Sequence, residues 1–142
     1  MTRSLVREHL FKLLFRIEFN DPADMPEQIR LYFEDDFADD DLTSTGSDIS
    51  EEDRKYIEDK YEKIIALLPE IDEKIDASAK GWSISRIGKV ELSVLRLAIY
   101  ELLYDDDIPV GVAIDQAVEL SKKFGREGSG PFVNGILASL AK

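Results

Sequence analysis

Residues 87–104 form the most apolar segment of the chain, with no proline and no glycine after Gly88. At 100° per residue, apolar side chains cover most of the circumference, which is typical of a central, buried helix. Glu91 and Glu101 interrupt this apolar surface. A carboxylate in such a position is costly unless it is paired or lies at a surface that a partner covers. The segment therefore predicts the central helix of the fold and indicates a binding surface beside it.

The length of 142 residues suits a single domain with a sizeable core. Because the chain has no cysteine, disulfides and thiolate metal sites are excluded. The N-terminal residues lack the continuous apolar core of a signal peptide, and no run of about 18 apolar residues predicts a membrane span. We therefore expect a cytoplasmic protein that is not bound to a membrane.

The net charge of −12 is unevenly distributed, because the first 17 residues carry four Lys or Arg residues and the single acid Glu8. The four bases are Arg3, Arg7, Lys12 and Arg16. The acidic total argues against non-specific nucleic-acid binding, but salt screening over about 8–10 Å allows a local basic site. Arg3 and Arg7 lie near the predicted start of a helix, where cations oppose the helix dipole. They therefore belong either to a solvated helix face or to a contact with an anion such as RNA.

Helical spacing of apolar residues recurs along the chain, and no alternating strand pattern occurs. The predicted helices cover residues 3–19, a segment starting at 24–27, a segment from Ser50, and residues 69–77, 87–104, 109–124 and 131–141. The class is therefore all-α, a compact bundle of about six or seven helices. Between them, residues 35–48 are predicted to be an acidic loop, and Asp39–Asp41 lack the spaced ligands of a calcium loop. Gly81 and Trp82 are predicted to form a turn.

The residues that most enzyme sites require are missing from the sequence. His9 is the only histidine, so nucleophilic triads and common zinc sites lack their components. The glycines between Gly125 and Gly130 lack the Lys-Ser/Thr pair of a phosphate-binding P-loop. We therefore expect no catalysis, no cofactor and no metal.

Three segments carry a specific family resemblance. They are VLRLAIYEL at 94–102, AIDQAVELSKKFG at 113–125 and FVNGIL at 132–137. Together they resemble the NusB family of bacterial transcription antitermination factors, and the N-terminal helix with Arg7-Glu8 and Leu13-Leu14-Phe15 resembles it too. The resemblance implies a single NusB-like domain, 1–142, made of two small helical subdomains, 1–80 and 81–142.

The resemblance also implies a binding function. Family members recognise boxA-type single-stranded RNA together with the ribosomal protein NusE, within an RNA polymerase antitermination complex that contains other Nus factors. This assembly promotes processive transcription of ribosomal RNA operons. The residues that match RNA-contacting positions are Arg3, Arg7, Lys12, Phe15, Arg126, Ser129 and Phe132. Basic groups of this kind bind phosphates, and aromatic rings stack on unpaired bases.

Glu91 matches an acidic position in the NusE-contacting surface of the family. A cation of NusE across the interface could pair with this carboxylate. The N-terminal arginines are sparser than in many family members, and the net charge is acidic. The alternative is therefore a helical protein-interaction module without its own RNA-binding function. A homodimer also stays open, because some family members self-associate.

Overall fold

A computed structural model describes residues 1–34, 49–79 and 86–141. In these ranges the structure contains seven α-helices, two short 3-10 helices at 17–19 and 22–24, and no strand. The α-helices are α1 (Arg3–Arg16), α2 (Met25–Glu34), α3 (Glu51–Ala66), α4 (Leu68–Ser78), α5 (Lys89–Leu103), α6 (Val110–Phe124) and α7 (Ser129–Leu140). The all-α class is confirmed. The predicted acidic loop and the Gly81-Trp82 turn lie outside the described residues.

Side-chain caps fix both ends of α1. The Thr2 hydroxyl accepts a hydrogen bond from the Leu5 N–H at 3.1 Å, which satisfies one of the free donors at the helix start. At the other end the Asn20 amide donates to the Arg16 carbonyl at 2.9 Å. The α-helix ends at Arg16, earlier than the predicted residue 19, because the chain tightens into a 3-10 helix there.

Residues 1–63 form one compact unit, in which α2 packs against α1. Its core contains fully buried side chains from three helices: Leu10, Phe11, Leu13, Leu14, Tyr32 and Ile57. The Ser50 hydroxyl accepts a hydrogen bond from the Asp53 N–H at 3.2 Å and so caps the start of α3. Tyr56, in the first half of α3, is 53% exposed. Its neighbour Ile57 takes the core position, since adjacent helical residues point about 100° apart.

Residues 64–142 form the second compact unit, and α5 is its centre. Helices α4, α6 and α7 all pack against α5, and every residue from Glu91 to Glu101 is buried. The central, buried helix is therefore confirmed. The division between the two units falls after Lys63, within α3. The predicted subdomain boundary at 80/81 lies outside the described residues and stays a prediction.

The polar side of α5 is also covered. The Arg96 guanidinium donates to both carboxylate oxygens of Asp72 on α4, at 2.9 Å each. The Ser93 hydroxyl donates to the Lys89 carbonyl at 2.7 Å. A buried cation is tolerated only when it is paired in this way, and the bidentate geometry fixes α4 against α5.

Candidate nucleic-acid and partner interface

The basic residues of α1 differ in accessibility. Arg3, in the first turn, is exposed. Arg7, one turn later, is only 4% exposed and Lys12 only 7%. The interpretation of Arg7 as part of a solvated helix face is therefore wrong. Arg3 is the α1 cation from this set that an anion in solvent reaches most directly.

Phe15 lies in a row of aromatic rings along the end of α1. Its ring centroid is 6.1 Å from that of buried Phe11 and 4.9 Å from that of Phe19, which is 59% exposed. The row therefore leads from the core to the surface. Phe15 is half-buried in the middle of it.

The single histidine is part of the core of this unit. His9 Nδ1 and the Tyr32 hydroxyl share a hydrogen bond of 2.5 Å, and the two rings meet edge to face. Burial raises the pKa of Tyr32 well above its ordinary value, although the Arg16 charge opposes the rise. The Tyr32 hydroxyl therefore stays neutral. His9 therefore acts as a packed, hydrogen-bonded residue of the core.

The second group of predicted RNA residues surrounds the turn before α7. Gly128 has φ of 90°, a left-handed conformation that strongly favours glycine, and it precedes the first residue of α7. The Arg126 N–H donates to Ser129 Oγ at 3.0 Å, and the Ser129 N–H donates to the Arg126 carbonyl, also at 3.0 Å. This reciprocal pair holds the Arg126–Ser129 turn in one conformation.

Glu91 lies directly against this turn. Its Oε1 accepts a hydrogen bond from the Ser129 hydroxyl at 3.1 Å, and Arg126 Nη2 lies 3.9 Å from the same oxygen. Glu91 is 8% exposed, whereas the Arg126 side chain is 83% exposed. The structure thus brings together a residue predicted to contact NusE and two residues predicted to contact RNA. The cost of burying the Glu91 carboxylate among apolar residues is therefore offset by a hydrogen bond from Ser129 of the same chain.

A cavity of about 320 Å³ opens beside this cluster. The described residues that line it come from the start of α5 and from the turn: Arg86, Ile87, Gly88, Glu91, Arg126, Glu127, Gly128, Ser129 and Phe132. The sequence predictions missed Arg86. No signal could have found it, because Arg86 precedes the turn by 40 residues and only the packing of α5 on α7 joins them.

A larger cavity of about 800 Å³ lies along α6 and α7, and it shares the turn residues Arg126, Glu127 and Gly128 with the first. Its α6 side carries both signs of charge, with Lys122 Nζ 3.8 Å from Glu119 Oε1. The turn therefore separates two cavities, and its exposed Arg126 stands between them.

Metal-binding clusters and membrane-spanning helices are absent from the described ranges, 1–34, 49–79 and 86–141. No group of three or more acidic or histidine side chains in them is placed to hold a metal ion. None of the described helices combines the length and the apolar character needed to cross a membrane.

Comparison with known proteins places this geometry in a family. The chain matches the NusB family over residues 4–142. It is 45% identical over 141 residues to the transcription antitermination protein NusB of Agathobacter rectalis, covering 99% of this chain and 100% of that protein. The corresponding protein of Lachnoclostridium phytofermentans is 44% identical over 140 residues, covering 99% and 98%.

Solved structures of NusB proteins are also similar to this chain. The NusB structure of T. maritima superposes with a TM-score of 0.79 at 33% identity, covering 99% of this chain and 91% of that one. A second structure contains the antitermination factors NusB and NusE in complex with dsRNA, and it matches with a TM-score of 0.71 at 26% identity, covering 99% and 98%. The family model and the full-length relatives give the same result: this chain belongs to the NusB family.

Proposed function

We propose that this chain is a transcription antitermination factor that binds boxA RNA together with NusE and promotes processive transcription of ribosomal RNA operons. The observation that carries the proposal is the turn before α7, where exposed Arg126, half-buried Phe132 and Ser129 share one cavity. A cation beside an aromatic ring suits single-stranded RNA. Full-length similarity to NusB proteins, and the solved NusB–NusE–RNA complex, support the same function.

The residues at the turn have different roles in this proposal. Arg126 is accessible and binds a phosphate, while Phe132 stacks on a base. Ser129 already bonds to Glu91 and to the Arg126 N–H, so it shapes the turn. On α1, exposed Arg3 binds phosphate directly. Arg7, Lys12 and Phe15 complete the proposed RNA set.

Glu91 is proposed to contribute to the NusE surface. Its carboxylate is 8% exposed and already accepts from Ser129, so a NusE cation would approach a charge that the turn partly covers. The same hydrogen bond gives Glu91 a second effect, because it holds the turn that carries Arg126. Partner binding and RNA binding would then meet at one residue.

The proposed activity is binding without catalysis. The protein would work in the cytoplasm, assembled with RNA polymerase and other Nus factors, with no cofactor. In this proposal the chain contributes only binding surfaces, and NusE and RNA supply the other surfaces of the complex.

A second candidate is a helical protein-interaction module that binds NusE but contributes nothing to RNA. Two observations favour it: the net charge is −12, and Arg7 and Lys12 are almost fully buried. Both reduce the positive potential that RNA would meet at α1.

Assembly in solution separates the two candidates. The chain, NusE and a boxA RNA are mixed and resolved by size-exclusion chromatography, beside a mixture with a scrambled RNA of the same length. Co-elution of all three with boxA RNA alone supports antitermination-factor function. Co-elution of the two proteins with neither RNA supports the interaction module, and absence of a NusE complex contradicts both.

A further inference from the structure

The cavity of about 320 Å³ beside the Arg126–Ser129 turn contains a cation that the predicted RNA set lacks. We propose that Arg86 and Arg126 form a two-guanidinium phosphate site at the mouth of this cavity, and that one RNA nucleotide places its base inside against Phe132. The inference rests on the proposed function and deepens it, since it names a contact residue and an orientation for the nucleotide.

Two acidic and two basic side chains line the cavity: Glu91, Glu127, Arg86 and Arg126. Glu91, 8% exposed, lies at the buried end, whereas Arg86 is exposed and the Arg126 side chain is 83% exposed. A phosphate at the buried end would meet the Glu91 carboxylate in a poorly solvated place, which is unfavourable. At the mouth it would meet two guanidiniums, whose planar forks match phosphate oxygens, and one exposed carboxylate, that of Glu127, which the two cations outweigh. The phosphate therefore stays outside and the base points inward.

The walls of the cavity suit a flat ring. Phe132 supplies an aromatic side chain, and Gly88 and Gly128 line the space without side chains. A Cβ at Gly88 would lie 3.0 Å from Glu91 Oε2, so glycine there leaves room for the carboxylate. Glu91 also presents acceptor oxygens to any base edge that carries amino or imino donors.

An acidic side chain of a protein partner is the competing occupant. Such a side chain would pair with the two guanidiniums but would leave much of the cavity volume unfilled. A nucleotide uses the cations, the ring and the enclosed volume together. The combination therefore favours RNA.

The test compares Arg86→Ala with Lys89→Ala, two exposed cations three residues apart, of which only Arg86 lines the cavity. Affinity for a boxA single-stranded RNA is measured at saturating NusE across a salt series, with circular dichroism to verify folding. Arg86→Ala should bind about tenfold more weakly, since a charged hydrogen bond is lost. The slope of log K against log salt should flatten by about 0.7. Lys89→Ala should stay within about twofold of the wild type.

Methylphosphonate substitution, one phosphate at a time, then identifies the bound phosphate. At one position, neutralising the phosphate should weaken the wild type more than it weakens Arg86→Ala or Arg126→Ala, because each variant keeps only one of the two guanidiniums. If Arg126→Ala weakens binding and Arg86→Ala matches Lys89→Ala, the two-cation site is wrong and the proposed function stands. If Arg86→Ala weakens NusE binding alone, the occupant is a protein and the site is again wrong. Absence of boxA binding by the wild type overturns the proposed function and this site together.

Discussion

The Ser129 hydroxyl donates a hydrogen bond to Oε1 of Glu91 at 3.1 Å, which ties the start of α7 to the first turn of α5. The same serine oxygen accepts from the Arg126 N–H at 3.0 Å. One hydroxyl thus connects a buried carboxylate to the backbone of an exposed arginine. The conformation of the proposed RNA turn therefore depends on a residue of the central helix.

Removing the Ser129 hydroxyl should destabilise this connection. Ser129→Ala leaves Glu91 without its hydroxyl donor and should lower the free energy of unfolding by about 1–3 kcal/mol. Urea denaturation measures the loss. Ser139→Ala, near the end of the same helix and exposed, is the control and should change stability by less than about 0.5 kcal/mol. Equal stability of the two variants would show that the hydrogen bond contributes nothing.

Glu91→Gln separates the two effects of this residue. Glutamine keeps an oxygen that accepts from Ser129 but removes the charge. If the charge pairs with a NusE cation, NusE affinity should fall about five- to tenfold while the unfolding midpoint changes little. Isothermal titration against NusE measures this. Unchanged NusE affinity would limit Glu91 to holding the turn.

Two glycines of α7 and its cap should respond in opposite directions to alanine. Gly128→Ala places a side chain at φ of 90° and should cost about 1–2 kcal/mol. Gly135, inside α7, has open space around a built Cβ, so Gly135→Ala should stabilise the helix by about 0.5–1 kcal/mol. Thermal or urea unfolding of the two variants measures both changes. A Gly128→Ala variant as stable as the wild type would contradict the expected strain at this position.

The stability of the chain should fall in alkali because of Tyr61. Burial, helped by the Glu62 charge, raises the pKa of Tyr61 from 10.0 to about 12. The unfolded chain loses this proton near pH 10 while the folded chain keeps it, so the contribution is complete below pH 10 and is lost as pH rises to about 12. The stability lost over this pH range amounts to about 2–3 kcal/mol. Unfolding measured from pH 9 to 12 should show this fall, and Tyr61→Phe should reduce it; identical slopes would exclude Tyr61 as the cause.

Charge reversal at Arg3 tests the α1 contact without disturbing the core. Arg3→Glu should weaken boxA binding and flatten its salt dependence, while Lys55→Glu, an exposed position of α3, is the matched control. The variant Arg7→Glu is expected to lose stability as well, because its side chain is only 4% exposed. An unchanged salt slope for Arg3→Glu counts against Arg3 as a phosphate ligand.

The central helix was predictable because its apolar residues cover nearly the whole circumference, and it is observed at Lys89–Leu103 inside the predicted 87–104. The start of α7 was predicted two residues late, at Pro131. Proline fits within the first turn because no intrahelical acceptor is available there, so the helix begins at Ser129. The predicted end of α6 at residue 124 is observed, and the Gly125 N–H donates to the Ser121 carbonyl at 2.9 Å there.

The site was less predictable, since it depends on contacts between distant segments. A Cβ at Gly125 would lie 2.7 Å from the Ser121 carbonyl oxygen and 2.7 Å from Ser129 Oγ, so the need for glycine comes both from α6 and from the turn. Burial of Arg7 and Lys12 could not be derived from α1 alone, because a helical wheel shows which residues share a face and not what covers it. Arg86 joined the site through the packing of α5 on α7.

The most direct test of the central claim is the affinity of this chain for a boxA RNA, measured by fluorescence anisotropy with and without saturating NusE. If the chain is an antitermination factor of this kind, NusE should tighten boxA binding about tenfold or more, with no comparable gain for a scrambled RNA. Equal affinities with and without NusE, or an equal gain for the scrambled RNA, would contradict it.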